Sequence, residues 1–353
     1  MEKTPVVTLV VPIRNSAHCL DAFFAGLAAE TFQDFAIDFS LGTSTDGTAD
    51  KLSELKQRYP NIRFSVQDVG LLSVGASKNY WLDGQRIASK YVAFIDVDDY
   101  LYPFYLEKLV QKAESSQADL VQCGFERVES ESGKRISVDQ VSNPELIRDP
   151  FTFPGIVFTH TATWNKLFRT QLIDENVRFF DGYKFEDLHF VMSYLAKCNS
   201  IVSINEPLYR YFVSKKSLSS IPDKETLWAN ADEVQRAALS LKANYLKINP
   251  KAYETGFLDA LIFLRYGIGF TTRMCLSKHE KKRKIIKATK SFLDEQFPRW
   301  GSNFFFEKKN LKTIGKKSLF IRWCLHLYRH NNFGLFVFAY RVFTAVFHKD
   351  IKP

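Results

Sequence analysis

Short apolar, β-branched runs alternate with amphipathic stretches over the first 120 positions. Val6–Pro12, Phe35–Leu41, Ile62–Val66, Tyr91–Ile95 and Leu120–Cys123 read as strands bounded by polar or glycine-bearing segments. Between them, residues 17–30, 46–58, 72–89 and 103–116 repeat apolar positions at helical spacing. This alternation predicts an α/β fold, a mostly parallel sheet flanked by helices. A ligand in such a sheet sits beyond the carboxyl ends of the strands, at the point where strand order reverses. The residues that follow each strand are therefore the place to look for chemistry.

The pattern then changes. Residues 125–160 are polar and mixed, with Glu129 to Gly133 as a hairpin turn, and a helix is expected near 184–197. Strands follow around Ile201–Ile204 and Leu208–Val213. From about 223 the spacing is helical, over 224–247, 252–274, 278–296 and, in pieces, 316–347. The expected organisation is an α/β domain over 1–222 and a helical C-terminal region over 223–353. At roughly 100–200 residues per domain, 353 residues suit two.

Charge sharpens that boundary. The chain carries +9 overall, but residues 1–220 hold 23 basic and 28 acidic residues, whereas 221–353 hold 25 and 11. The two parts face different partners. A 46% hydrophobic, 15% aromatic composition excludes a disordered or collagen-like chain. Five cysteines (Cys19, Cys123, Cys198, Cys275, Cys324) form no CxxC pair and no zinc-like cluster, which fits a reducing, cytoplasmic setting. The first apolar run is short and lacks a small-residue cleavage site, so it reads as a buried strand rather than a signal peptide. No stretch reaches the roughly 18 continuous apolar residues of a membrane-spanning helix.

Phe94-Ile95-Asp96-Val97-Asp98-Asp99-Tyr100-Leu101 is the sharpest chemical feature. An apolar strand ends in three carboxylates, and strand alternation places Asp96 and Asp98 on one face with Asp99 on the other. Clustered carboxylates repel, so a cation or hydrogen-bond donors must hold them together. Mg²⁺ and Mn²⁺ favour such hard oxygen ligands together with substrate phosphates. The structural alternative is a helix N-cap, which would account for one aspartate but not for three. Gly70 to Asn79 is rich in small residues that let a backbone approach a ligand, and Lys78 offers a cation for phosphate; packing of a small-residue helix on the sheet explains the same pattern. Glu186 and Asp187 open an amphipathic helix, where acidic residues are ordinary partners of the helix dipole.

In this order the pieces resemble one family, the nucleotide-diphospho-sugar glycosyltransferases of family 2 with the GT-A fold, in the branch that builds bacterial surface polysaccharides. The resemblance runs from about Val6 to Ser220. It is carried by Val11-Pro12-Ile13-Arg14-Asn15, Ser44-Thr45-Asp46-Gly47-Thr48, Ser77-Lys78-Asn79 and the aspartate run at 94–101. Trp164-Asn165-Lys166-Leu167-Phe168-Arg169, the Glu186–Asp187 pair, Leu208 to Phe212 and Lys215 to Ser219 complete it.

The resemblance implies roles. Asp96 would contact the nucleotide ribose, and Asp98 would bind Mn²⁺ or Mg²⁺ bridging the diphosphate. Pro12 and Asn15 would border the base pocket. Asp187 would be the general base, with Glu186 positioning it or the acceptor. Lys78, Lys216 and Ser217 would lie near the diphosphate, with Lys215 an equal alternative to Lys216. The implied reaction is inverting transfer from a nucleotide-sugar, by default UDP-linked, to a hydroxyl of a glycan or lipid-linked acceptor. One base without a second nucleophilic carboxylate suits single displacement. Two positions depart from the family: its paired aspartates after the second strand are replaced by Leu41 and Gly42, and its usual aromatic near the first strand is Arg14, whose planar guanidinium can still stack on a base. A relative that binds nucleotide or glycan without catalysis is the alternative reading.

Other classes fit less well. A haloacid-dehalogenase phosphatase would carry its aspartates after a first strand, whereas three strand–helix units precede Asp96. The basic C-terminal region could track nucleic acid, but it has no recognition motif, and no nucleic-acid partner is expected. Residues 276–353 hold 18 basic and 5 acidic residues interleaved with Phe304-Phe305-Phe306, Trp323 and the apolar run 333–347. On a helix from 316, Leu319, Phe320, Trp323 and Leu327 share one face. The run 333–347 would reach about 22 Å as a helix, short of a hydrocarbon core about 30 Å thick. Peripheral docking on an anionic membrane surface, at its cytoplasmic face, is the expectation; packing of the aromatics within the protein is its alternative.

Overall fold

A computed structural model describes residues 3–141, 146–182, 185–214, 224–272, 282–312, 317–338 and 340. The chain forms two compact units, Met1–Pro150 with Thr161–Leu218, and Phe151–His160 with Ser219–Pro353.

The first unit is built on one sheet. Its strands β1 (Val7–Ile13), β2 (Phe35–Gly42), β3 (Phe64–Gly70) and β4 (Tyr91–Phe94) pair in parallel in the order β3-β2-β1-β4. The apolar runs of β1 and β4 suit strands buried on both faces, whereas the edge strand β3 has no fully buried residue. Helices α1 (Ala17–Ala28), α2 (Thr48–Arg58) and α3 (Val74–Leu82) connect them. The order then reverses. After β5 (Tyr100–Leu101) and α4 (Tyr105–Ser116), β6 (Leu120–Glu129) does not join β4 directly. Strand β9 (Lys166–Arg169) lies between them, antiparallel to both, with Val92 opposite Phe168 and Val121 opposite Leu167. Strand β10 (Ser200–Val213) continues the sheet parallel to β6 as one bulged strand, where the sequence suggested two. Strands β7 (Arg135–Asp139) and β8 (Ile147–Arg148) pair at the flank, β7 completing the expected hairpin with β6.

Two aromatic layers explain the aromatic content. On one face Phe24 stacks on Phe39 and meets Phe64 edge-on, in a core shared with α1, α2 and α4. On the other, Phe94 packs on Phe179 and Phe190, whose rings stack 4.2 Å apart, beneath α5 (Glu186–Leu195). Such contacts add about 0.5–1.5 kcal/mol per pair beyond area burial. The sheet is thereby fixed from both sides, and the carboxyl ends of β1, β2 and β4 are left to carry loops.

The second unit is helical in its described residues. A long helix, Lys224–Ile248, leads to Pro250–Glu254, whose first turn is capped by the Asn249 side chain, and to Phe257–Ile262, which widens into a π turn over Phe263–Phe270. Gly267 is needed there, since a β-carbon would meet the Phe263 ring at 2.7 Å. Two basic helices follow, Lys282–Gln296 and Lys317–Arg329.

This corrects part of the C-terminal expectation. Phe305 and Phe306 are buried in a 3₁₀ turn, and Phe306 packs on Phe263. The buried face of Lys317–Arg329 is Ile321, Cys324, Leu325, Leu327 and Tyr328, while Leu319 is 70% exposed. Leu327 therefore does not share a free face with Leu319. Among the described residues no helix is long and apolar enough to cross a membrane. Cys275 and most of the run 339–347 lie outside the described residues.

Candidate active site

The aspartate run sits where the strand order reverses, but not as a strand. Strand β4 stops at Phe94, and Asp96 to Asp99 form a turn closed by the Asp99 N–H donating to the Asp96 carbonyl at 3.2 Å. Strand alternation therefore does not govern these side chains. Asp99 is 6% exposed and accepts hydrogen bonds from the Tyr209 hydroxyl and the Phe212 N–H, both at 2.8 Å. It ties the turn to β10 and caps no helix; α4 starts after Phe104 without a side-chain cap. Asp98 is exposed and Asp96 is partly buried. Burial pushes the Asp96 carboxyl up to about 6; Lys78 pulls it down, and the charges of Asp187 and Asp98 push it further up.

Helix α3 delivers Lys78 to this turn, and its small residues explain how. Ser73 caps the helix by accepting from the Ala76 N–H, and its hydroxyl donates to Asp181 at 2.7 Å. One turn on, a β-carbon at Gly75 would stand 2.4 Å from the Phe180 carbonyl oxygen, so only glycine permits this approach. Asn79 then clamps Phe179, donating to its carbonyl and accepting from its N–H at 2.9 Å each. The small residues thus seat α3 against Phe179, Phe180, Asp181 and Glu186 of the chain itself. Lys78, three residues beyond Gly75, is carried to Asp187.

The Lys78 ammonium donates to Asp187 Oδ1 at 2.9 Å and lies 4.9 Å from the Phe179 ring centroid. Burial alone would lower its pKa, but Asp187, Asp96 and Glu186 outweigh burial and raise it above the ordinary lysine value. Asp187 also accepts from the Thr163 N–H at 3.3 Å and from its hydroxyl at 3.2 Å. Two oxygens held by three donors leave this carboxylate oriented, 23% exposed, at the first turn of α5. Phe185, immediately before the pair, takes the left-handed backbone at φ 66°, and its carbonyl accepts from the His189 N–H. Burial raises the Glu186 carboxyl to about 7, with the Asp187 charge adding to the rise and Lys78 opposing it.

Asp96, Lys78, Glu186 and Asp187 therefore meet in one charged cluster. The resemblance implies a place for Lys78 near the diphosphate; its ammonium is bonded to Asp187. Thr163 had no signal of its own beyond its place just ahead of Trp164. Trp164 stacks on Tyr209 and Tyr211, joining two motifs quoted separately above.

A second group gathers at the ends of β1 and β2. Pro12 is partly buried at the end of β1, and Arg14 is exposed. Asn15, at φ 50°, is locked to the loop after β2: its N–H donates to Ser44 Oγ at 3.0 Å and its Oδ1 accepts from the Thr45 N–H at 2.9 Å. The Arg14 stem crosses Gly42, where a β-carbon would meet Arg14 Cβ at 3.4 Å and Cδ at 3.5 Å. The two departures from the family pattern are thus one packing event. The arginine stem lies over the position from which an acid would project. Lys215, Lys216 and Ser217 lie outside the described residues.

Among the described residues no three His, Cys, Asp or Glu side chains group to hold a metal. Asp96 and Asp98 nonetheless repel, and a divalent cation taking one or two carboxylates plus substrate oxygens would relieve that repulsion. The residues present fit such an ion.

Comparison with known proteins places the fold in a family. The glycosyl transferase family 2 pattern matches residues 8–176. The uncharacterized glycosyltransferase EpsJ of Bacillus subtilis is 26% identical over 252 residues, 68% of this chain and 71% of its own. The poly(ribitol-phosphate) beta-glucosyltransferase of Bacillus spizizenii is 26% identical over 216 residues, 59% of this chain and 32% of its own. In three dimensions S. aureus TarS 1–349 in complex with UDP-GlcNAc superposes with a TM-score of 0.69 at 18% identity, covering 96% of this chain and 91% of that one. The shared fold is the GT-A fold.

Proposed function

The chain belongs to glycosyl transferase family 2 through residues 8–176, and on that premise we propose that it is an inverting, metal-dependent transferase. It moves a sugar from a nucleotide-diphospho-sugar, UDP-linked, to a hydroxyl of a glycan or lipid-linked acceptor in bacterial surface polysaccharide synthesis, at the cytoplasmic face of the membrane. The observation that carries this reading is the oriented Asp187 carboxylate, held by Lys78 and Thr163 within the cluster that includes Asp96.

Asp187 takes the proton from the acceptor hydroxyl as its oxygen bonds to the anomeric carbon and the bond to the diphosphate breaks. An oriented base of this kind is worth about 100- to 10,000-fold in rate. Burial raises the Glu186 carboxyl to about 7, so its protonated form can donate a hydrogen bond to the acceptor. Asp96 holds the ribose and Asp98 the cation. When bound, Mn²⁺ or Mg²⁺ supplies positive charge to the leaving diphosphate. Lys216 and Ser217 are assigned to the same diphosphate. Pro12 and Asn15 border the base, and Arg14 stacks on it in place of the family's aromatic.

The test is a panel of nucleotide sugars with Mn²⁺ or Mg²⁺, read by binding and by nucleotide release. A UDP-sugar should bind and be consumed with acceptor. If no nucleotide sugar binds, the proposal fails.

A further inference from the structure

Two stretches about fifty residues apart in sequence meet on one surface of the helical unit. The guanidinium of Arg283, at the start of the helix Lys282–Gln296, lies over Gly334; a β-carbon there would stand 3.1 Å from its terminal nitrogen. Gly334 belongs to the helical turn 333–338, which leaves Leu335 53% and Phe338 67% exposed. That turn is fixed to the helix Lys317–Arg329 by Trp323 stacking on Phe336, rings 5.4 Å apart. On the same helix Leu319 is 70% exposed, and Arg322, three residues on, is exposed beside it.

The composition of this surface is selective. Arg283, Lys284 and Lys287 are all exposed on the first turns of their helix. The acids of that helix, Asp294 and Glu295, lie at its other end, about 15 Å away at 1.5 Å per residue. A second copy of the chain would set these cations against themselves across a two-fold axis. A nucleic acid would satisfy the cations but leave Leu319 and Leu335 in water. An anionic bilayer matches both features, since apolar side chains enter the headgroup boundary while arginine and lysine stay at the phosphates.

We propose that Leu319, Leu335 and Phe338, flanked by Arg283, Lys284 and Arg322, dock the protein onto an anionic lipid surface. The proposal rests on the glycosyl-transfer reading only for its purpose, which is to hold the chain where a lipid-linked acceptor lies. Lipid binding itself is read directly.

The experiment is flotation of the full chain with phosphatidylcholine vesicles, with and without phosphatidylglycerol, at moderate and high salt. The chain should float only with phosphatidylglycerol, and less at high salt. Each surface cation multiplies partitioning about fivefold, so K284E with R322E should weaken it about 25-fold or more. L335E with F338E should abolish flotation at unchanged melting temperature and nucleotide-sugar binding; F338S serves if that double variant misfolds. The proposal is overturned by absence of flotation, or by equal flotation of all variants. It is also overturned if F338S loses only a concentration-dependent dimer, or if only salt-sensitive binding of single-stranded DNA responds to the charge reversals. Flotation as expected by a chain that binds no nucleotide sugar would leave this surface standing and remove the proposed function.

Discussion

Lys78 and Asp187 stand 109 positions apart in sequence and 2.9 Å apart in space, and the lysine is 2% exposed. A buried ammonium needs its carboxylate more than the carboxylate needs it, because Asp187 keeps Thr163 and some solvent. The lysine therefore acts as a fixed counter-charge that aims the carboxylate.

Replacing Lys78 separates two roles for it. K78M should cost about 1–3 kcal/mol of stability and lower turnover through a misaimed Asp187, while UDP-sugar affinity changes little. Calorimetric titration with UDP and steady-state kinetics check this. A large loss of UDP affinity with intact kcat would instead make Lys78 a diphosphate ligand.

Asp187 and Asp98, proposed as base and metal ligand, should fail differently. D187N is expected to lower turnover about 100- to 10,000-fold with donor affinity within a few-fold. D98N should weaken metal and donor binding together. Donor and Mn²⁺ titrations of both variants are the measurement, and equal donor losses would contradict Asp187 as the base.

Gly75 sets the seat of α3. G75A would drive a methyl group to 2.4 Å from the Phe180 carbonyl oxygen, so the helix must retreat. A cost of about 1–3 kcal/mol in urea unfolding is expected, with turnover falling further than stability alone explains. Unchanged unfolding and kinetics would show that the contact is not tight.

Glu30 supplies a pH signature away from the site. Its carboxyl is 2% exposed, with no close hydrogen-bond partner among the described residues; burial pushes its pKa up to about 7, against the pull of the Leu106, Glu107 and Phe32 N–H groups. A raised carboxyl favours the folded state fully below about 4.5, and that contribution disappears as pH rises through about 7. E30Q should therefore match the parent near pH 4.5 and exceed it above pH 7, by about 2–3 kcal/mol. Melting curves across that range are the check. A gap that does not grow with pH would refute the assignment.

The parallel half of the sheet was readable because β1 and β4 are near-continuous apolar runs buried on both faces. The placement of β9 was not, since it opens on Lys166, which is fully buried with its ammonium donating to the Ala162 carbonyl and to Asn165 Oδ1. A satisfied buried lysine looks like a loop residue in any hydropathy pattern. The aspartate run was legible as a site, but the partners of Asp99 were not: Tyr209 and Phe212 become its donors only once β10 lies in the sheet. Arg14 over Gly42 was equally hidden. Two separate oddities in the sequence are one contact in space.

Strand β9 has a consequence in time. It pairs with β4, which precedes it by more than seventy residues, and the partner of Lys78 arrives later still. At about 5–20 residues per second, a ribosome takes roughly 5–20 s to pass from Lys78 to Asp187. Throughout that interval the lysine lacks its counter-charge, and for most of it the β4 edge lacks β9. If Asp187 is the base proposed above, a nascent chain halted before residue 187 would hold the donor-side loops without it.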